Sequence, residues 1–168
     1  MRTAQLCRQA QSKTNRAPFK AINVTQQTIL VVDDEPDVLL LCRVNLEFEG
    51  YLVVEASDGN EALEQMRRLQ PDLVLLDVMM PRKDGWSALK EAKADSEIAH
   101  IPIVLLTAKV QEVDQIRGFE LGASEYVTKP FSPLALAKTI GDVLCGDPAV
   151  IEQRRAGLLS RLLMLQRT

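Results

Sequence analysis

Four groups of residues in this chain each end a short apolar run, and the acidic side chains among them could bind a cation together. The groups are Asp33-Asp34, Asp77, Thr107-Ala108 and Lys129-Pro130, which end the runs TILVVDD, PDLVLLD, IPIVLLTA and ASEYVTKP. Short continuous runs of Val, Ile and Leu are typical of buried parallel strands. Ligands bind outside the carboxyl ends of such strands, near the point where strand order reverses, so we expect these side chains to converge there.

The charges of this group predict a metal site. Three carboxylates that lie close together repel one another unless a cation is present. Lys129 supplies one positive charge against the negative charges of Asp33-Asp34 and Asp77. A divalent metal ion would supply the charge that is still needed.

The elements that must position these side chains alternate between strand and helix from residue 28 onwards. The predicted strands are 28–33, 52–56, 73–77, 102–106 and 125–128, and the predicted helices are 36–48, 59–69, 85–95, 111–121 and 132–145. Local chemistry supports these limits: Pro36 suits a first helical turn, Gly50 and Gly122 suit helix ends, and Ser57-Asp58 and Ser132 suit helix caps. Five strand-helix units predict an α/β fold built on one parallel sheet.

The two ends of the chain differ from this central part. Residues 1–27 are polar, carry five basic and no acidic side chains, and lack the apolar segment of a secretory signal, so we expect a disordered basic extension. Residues 147–168 predict an amphipathic helix over about 148–166. Its apolar face is formed by Ile151, Leu158, Leu159, Leu162 and Leu165. We expect this face to pack on the domain or to pair with a second copy, which makes a homodimer one expected state.

Composition argues against two classes of partner. No apolar run reaches the roughly 18 to 20 residues that cross a bilayer, so we expect a cytoplasmic protein with no membrane partner. The net charge is −3, and residues 29–146 carry 11 basic and 21 acidic side chains. Nucleic-acid-binding cores show a basic patch instead, so nucleic-acid binding is not expected.

Four segments of the chain together resemble a known family. LVVDDEP, LVLLDVMMPRKDGW, VLLTA and ASEYVTKPF are similar to the signature segments of the receiver domain of bacterial two-component response regulators, in the right order and with matching separations. The resemblance covers residues 28–146. It implies a doubly wound, flavodoxin-like sheet of five parallel strands in the order 2-1-3-4-5, to which the extra C-terminal helix is added.

The resemblance also implies a phosphoryl-transfer site. Asp77 would be the nucleophile that takes a phosphoryl group from the phosphohistidine of a sensor histidine kinase or phosphotransfer protein. Asp34, Asp77 and the main-chain carbonyl of Met79 would bind Mg²⁺, and Asp33 would reach the ion through water. Thr107 and Lys129 would contact the acyl phosphate.

A switch is implied as well. In the family, the hydroxyl of Thr107 moves toward the phosphoryl group and Tyr126 turns inward behind it. This changes the face made by residues 111–121, 125–128 and 132–145. The resemblance also implies a cis peptide bond between Lys129 and Pro130. The alternative for Tyr126 is an ordinary half-buried strand aromatic.

We therefore expect a stand-alone receiver that signals by binding a downstream protein when phosphorylated. It would not be an enzyme beyond catalysing its own phosphorylation and dephosphorylation. One alternative is a phosphate sink, or a regulator that lacks its output domain. Another is an aspartyl-phosphate phosphatase, but such enzymes carry a second acid two residues after the nucleophile, and this chain has Met79 there.

Overall fold

The sheet has the predicted architecture. The structure is a computed structural model that describes residues 26–108 and 112–146, with positions 149, 152, 153, 156, 157, 160 and 164 beyond them. Its strands are β1 Thr28–Val32, β2 Leu52–Ala56, β3 Leu73–Asp77, β4 Ile103–Thr107 and β5 Glu125–Thr128. They are parallel and lie in the order β2-β1-β3-β4-β5. This confirms the α/β fold and the strand order 2-1-3-4-5.

The helices cover both faces of the sheet. They are α1 Pro36–Phe48, α2 Gly59–Leu69, α3 Gly85–Ala94, α4 Glu112–Glu120 and α5 Pro133–Cys145. Helices α2 and α3 pack on one face, where β1 contributes Leu30 and Val32. Helices α1 and α5 pack on the other face, where β1 contributes Ile29 and Val31. Strands buried on both faces need apolar residues at every position, which explains the continuous apolar runs of the sequence.

Helix ends follow the predicted local chemistry. The carboxylate of Asp58 accepts hydrogen bonds from the backbone N–H groups of Asn60 and Glu61, at 2.8 and 3.0 Å, and so caps α2. The hydroxyl of Ser132 caps α5 by accepting from the N–H of Ala135 at 3.1 Å. Gly50 lies at φ +94°, after the end of α1, a conformation that glycine adopts without a steric penalty.

The element limits shift by one residue in several places. The strand predicted over 102–106 begins at Ile103 and extends to Thr107. Pro102 has no backbone N–H to donate to a neighbouring strand, although its carbonyl accepts from Val74. The shift places Thr107 in the last position of the strand, where the neighbouring strands hold its backbone.

The chain ends remain largely outside the described residues. The described positions beyond Gly146 are helical and exposed, in keeping with the predicted C-terminal helix. Its apolar face and residues 1–25 are not among the described residues, so the disordered extension, the docking of the helix and the homodimer stay predictions. None of the helices formed by the described residues combines the length and apolar character needed to cross a membrane.

Candidate functional site

The structure brings the predicted polar side chains to one edge of the sheet. Val32 at the end of β1 pairs with Leu76 of β3, Asp77 pairs with Leu106, and Thr107 pairs with Thr128. The residues that follow these pairs emerge side by side at the carboxyl ends of the strands. The edge lies where strand order reverses between β1 and β3, which is where doubly wound sheets bind ligands.

Three carboxylates form a compact acidic cluster at this edge. One oxygen of each of Asp33, Asp34 and Asp77 lies within 4.8 Å of the others. Asp33 is fully buried and Asp77 is 3% exposed, whereas Asp34 is exposed. The cluster therefore has two buried members and one that faces solvent.

Backbone hydrogen bonds hold Asp33 in place. The N–H of Asp33 donates to the carbonyl of Ala56 at 3.2 Å, which ties the end of β1 to β2. One carboxylate oxygen of Asp33 accepts from the N–H of Glu35 at 2.9 Å. The other oxygen is left to face Lys129.

The ammonium of Lys129 lies between the two buried carboxylates. Its Nζ is 2.6 Å from Asp33 Oδ2 and 3.2 Å from Asp77 Oδ1. It also lies 3.3 Å from Glu35 Oε1. The N–H of Lys129 donates to the carbonyl of Thr107 at 2.7 Å, and the peptide bond to Pro130 is cis. These contacts aim the lysine side chain back across the strand ends.

The electrostatics of the cluster are unbalanced. Burial, followed by the charge of Asp33, raises the pKa of Asp77, and Lys129 acts in the opposite direction, so that the resulting pKa is about 6. For Lys129, burial acts to lower the pKa, but the hydrogen bond to Asp33 and the charge of Asp77 outweigh it and raise the pKa. A buried carboxyl with a raised pKa indicates that the site would be stabilised by additional positive charge.

The donor atoms present fit a hard divalent cation. The three carboxylates offer oxygen ligands, and the exposure of Asp34 leaves room for bound water. Mg²⁺ binds through one or two carboxylates and keeps several waters, so the acidic cluster is compatible with a magnesium site. Met79 has an exposed side chain, at 75%, next to the buried Met80.

Thr107 and Tyr126 lie on the two strands at the far side of the site. Thr107 is 7% exposed at the end of β4. Tyr126 is half-buried on β5, and its hydroxyl donates to the carbonyl of Asp114 in α4 at 2.7 Å. Its ring meets that of Phe119 edge to face, with centroids 5.2 Å apart. Burial, followed by the charge of Asp114, raises the pKa of Tyr126. Tyr126 is therefore turned inward beneath α4 here, while its movement stays a prediction.

Sequence reasoning missed two residues that shape the site. Glu35 contributes a third acidic contact to Lys129, and it follows the two aspartates directly in the string DDEP. Gly85 begins α3 and donates its N–H to the carbonyl of Val78 at 3.0 Å. A Cβ at Gly85 would lie 2.2 Å from the carbonyl oxygen of Asp77, so only glycine fits. The DG pair in MMPRKDGW is the sequence signal for this contact.

A buried thiol near the cluster stays protonated. Cys42 on α1 is fully buried, and burial together with the charge of Asp33 raises the pKa of its thiol to about 12. Thiolate is the form that binds metals and attacks electrophiles. Cys42 therefore serves as a core residue beneath the acidic cluster.

Comparisons with known proteins identify relatives that are named as transcriptional regulators. The chain is 45% identical over 120 residues to the probable transcriptional regulator ycf27 of Guillardia theta, a match that covers 71% of this chain and 46% of that protein. It is 50% identical over 105 residues to the alkaline phosphatase synthesis transcriptional regulatory protein PhoP of Bacillus subtilis, covering 62% and 43% respectively. The chain thus spans about half the length of these relatives. Both relatives are named as regulators of transcription, and these names do not support the expectation of no nucleic-acid binding.

Solved structures of similar fold include response regulators. A putative response regulator from Chloroflexus aurantiacus matches with a TM-score of 0.69 and 34% identity, covering 73% of this chain and 100% of that one. The chemotaxis response regulator CheY4 of Vibrio cholerae matches with a TM-score of 0.68 and 32% identity, covering 71% and 99%. The sequence model of the response regulator receiver domain matches residues 29–141. Members of this family are typically phosphorylated on an aspartate and bind magnesium, and the chain belongs to the response regulator receiver domain family.

Proposed function

We propose that this chain accepts a phosphoryl group on Asp77 from the phosphohistidine of a sensor histidine kinase or phosphotransfer protein. The observation that carries the proposal is the position of Lys129 Nζ, within 3.2 Å of both Asp33 and Asp77 at the edge where the strand ends meet. In the transfer, the P–N bond to the histidine breaks and a P–O bond to an Asp77 oxygen forms. The imidazole keeps the electron pair of the broken bond.

Asp77 needs no general base for this attack. With a pKa of about 6, the carboxyl is mostly ionised at neutral pH. Gly85 supports the backbone of Asp77 from behind, since its N–H donates to the next carbonyl and its missing side chain permits the close approach. These contacts hold the nucleophile at the strand end.

The remaining site residues would bind the metal and the phosphoryl group. Asp34, Asp77 and the carbonyl of Met79 would hold Mg²⁺, with Asp33 acting through water. The ion supplies Lewis-acid stabilisation of negative charge on phosphoryl oxygens when bound. The ammonium of Lys129 and the hydroxyl of Thr107 would contact those oxygens as charge and as hydrogen-bond donor.

The output would be binding of a downstream protein to the face made by α4, β5 and α5. Phosphorylation adds about −1.5 to −2 charges and three acceptor oxygens next to Thr107. Tyr126 links β5 to α4 through its hydrogen bond to Asp114, so a shift at the strand ends can reach the helix. The equilibrium between two conformations of this face would then be biased by the phosphoryl group. The stand-alone character of the chain stays a prediction.

Phosphate labelling tests the nucleophile. Incubation with acetyl phosphate and Mg²⁺ should add one phosphoryl group to the wild type, which mass spectrometry detects. Asp77→Asn and omission of Mg²⁺ should abolish the addition, whereas the matched control Asp142→Asn, which removes an exposed carboxylate of α5, should not. Undiminished labelling of Asp77→Asn would exclude Asp77 as the acceptor.

Partner capture tests the output. The chain is immobilised with and without beryllofluoride, which mimics the phosphoryl group, and proteins retained from a lysate are compared. Retention that depends on beryllofluoride and on Asp77 supports signalling by protein binding. Equal retention in both states, together with normal labelling, favours a phosphate sink. A phosphate sink, too, would need no enzymatic activity beyond its own phosphorylation and dephosphorylation.

A further inference from the structure

The loop of residues 78–84, which joins β3 to α3, is attached to the turn before α2 by an ion pair. A guanidinium nitrogen of Arg82 lies 2.5 Å from Asp58 Oδ2. This loop contains Met79, whose carbonyl is a proposed metal ligand. The attachment therefore lies three residues from an atom whose position decides whether the metal site is complete.

Both carboxylate oxygens of Asp58 have partners that hold the side chain in place. Its Oδ1 accepts the N–H groups of Asn60 and Glu61 at the start of α2, which leaves Oδ2 for Arg82. Asp58 is 7% exposed, and its backbone hydrogen bonds, ahead of the charge of Arg82, lower its pKa. An ionised, buried and helix-anchored carboxylate is a rigid partner for a residue on a loop.

The neighbouring glycine allows the two segments to touch. The N–H of Gly59 donates to the carbonyl of Lys83 at 3.3 Å. A Cβ at Gly59 would lie 2.9 Å from that carbonyl oxygen and 3.1 Å from the Cβ of Ala88. The pair Asp58-Gly59 thus holds the loop twice, by charge at Arg82 and by close backbone contact at Lys83.

The backbone of the loop needs such support. Arg82 has φ +64°, which lies in the left-handed region of backbone conformation. Residues other than glycine and asparagine adopt this conformation at an energetic cost. A residue keeps a strained backbone conformation when the surrounding contacts hold it there, and such residues cluster at functional sites. Here the contact that accompanies the strain is the pair with Asp58.

We propose that Asp58 and Arg82 are positioning residues for the metal site, which hold the β3 to α3 loop so that the carbonyl of Met79 faces Asp34 and Asp77. The inference rests on the proposed function, because it concerns the same magnesium site. Neither side chain would touch the ion. Loss of the pair would weaken Mg²⁺ binding by freeing the loop, and it would leave phosphoryl transfer at saturating Mg²⁺ nearly unchanged.

A double-mutant cycle on the full chain tests the pair. Asp58→Asn keeps a good capping acceptor for α2 and removes the charge, and Arg82→Asn suits the left-handed backbone and removes the guanidinium. Each should weaken Mg²⁺ binding, measured by calorimetry with the metal alone, by about two- to fivefold, the range expected for an ion pair at the surface. The double variant should be no weaker than either single one, and Arg82→Lys should recover most of the affinity.

The matched control is Arg43→Asn, which removes a comparable surface ion pair between α1 and Glu55 of β2. It should leave Mg²⁺ affinity unchanged. A second measurement without metal is hydrogen exchange of the amides of residues 78–80, 82 and 83, which should become faster in Arg82→Asn and remain the same in Arg43→Asn. At saturating Mg²⁺, labelling of the Asp58→Asn and Arg82→Asn variants by acetyl phosphate should stay within about twofold of the wild-type value.

The outcomes separate this inference from the proposed function. If the wild type binds Mg²⁺ and Asp34→Asn does not, yet both pair variants bind as tightly as wild type, the positioning role is excluded and the metal site stands. Additive losses in the double variant would likewise overturn the pair as a unit. If the wild type itself fails to bind Mg²⁺, the metal site and this inference are both overturned.

Discussion

The hydroxyl of Tyr126 occupies the space in which a side chain at Gly118 would begin. A Cβ built on Gly118 would lie 1.6 Å from the Tyr126 hydroxyl oxygen and 2.6 Å from the ring carbon that bears it. The absence of this atom lets the hydroxyl reach the carbonyl of Asp114, one turn earlier in α4. A helix glycine, which costs stability in an ordinary helix, therefore makes the slot that joins β5 to α4.

Gly118→Ala should displace Tyr126 from this slot and destabilise the fold by about 1 to 3 kcal/mol, the usual cost of overpacking a core. Chemical denaturation measures the change. In a Tyr126→Ala background, the same substitution should be neutral or stabilising, because alanine is the better helix former. The control is Gly157→Ala, since none of the residues that the structure describes places an atom within 4 Å of a Cβ at that helical position. Equal losses in both backgrounds would disprove the slot.

Asp34→Asn should weaken Mg²⁺ binding by about tenfold or more. Asp33→Asn should weaken it by a smaller factor. Asp34 is the exposed member of the cluster and is expected to bind the ion directly. Asp33 is buried and already has Lys129 at 2.6 Å, so it is expected to act through water. Calorimetric titration with Mg²⁺ gives the two affinities. The reverse order would require Asp33 to be the direct ligand.

Lys129→Met should tighten Mg²⁺ binding while it slows phosphoryl transfer. The ammonium is a cation that competes with the metal for the charges of Asp33 and Asp77, and its removal increases their attraction for Mg²⁺. Without metal, the two buried carboxylates would lack this partner, so the variant should lose about 3 kcal/mol of stability at neutral pH. Denaturation without Mg²⁺ measures the loss of stability, and denaturation with Mg²⁺ measures the tighter binding of the metal. Lys138→Met, at an exposed pair with Asp142, is the control.

The contribution of Asp77 to the stability of the metal-free fold should be lost as pH rises through about 6. The folded chain raises the pKa of Asp77 to about 6, above the value of 3.8 for an unperturbed carboxyl. The contribution of Asp77 is thus fully present below the unfolded pKa and is lost as pH rises through the folded pKa. Asp77→Asn should therefore be more stable than wild type at pH 7, by on the order of 1 to 2 kcal/mol, and should show little advantage at pH 4.

Thermal or chemical denaturation in the presence of a chelator measures this difference across pH. Addition of Mg²⁺ should remove most of the advantage of Asp77→Asn, because the ion supplies the missing positive charge. A variant that shows the same advantage at pH 4 and pH 7 would indicate that ionisation of Asp77 does not strain the fold.

Much of the fold could be predicted because its causes are local or periodic. Apolar runs such as LVLLD predict strands buried on both faces, and Asp58 and Ser132 predict helix starts because they cap the nearest backbone N–H groups. The meeting of the acidic residues with Lys129 followed from the rule that parallel strands end at one edge. One-residue errors arose where strand limits depend on neighbouring strands, as at Pro102.

The order of residues predicts which chemical groups the site contains and which edge of the sheet they share, because residue type and strand direction follow from it. Three contacts depend instead on the folded chain: Lys129 lies between Asp33 and Asp77, Tyr126 fills the slot at Gly118, and Arg82 reaches Asp58. The contacts of Lys129 and Arg82 join segments far apart in the sequence, and that of Tyr126 joins β5 to the helix before it. Their contacts depend on how helices and loops pack against the sheet, and no local propensity or periodicity encodes that packing.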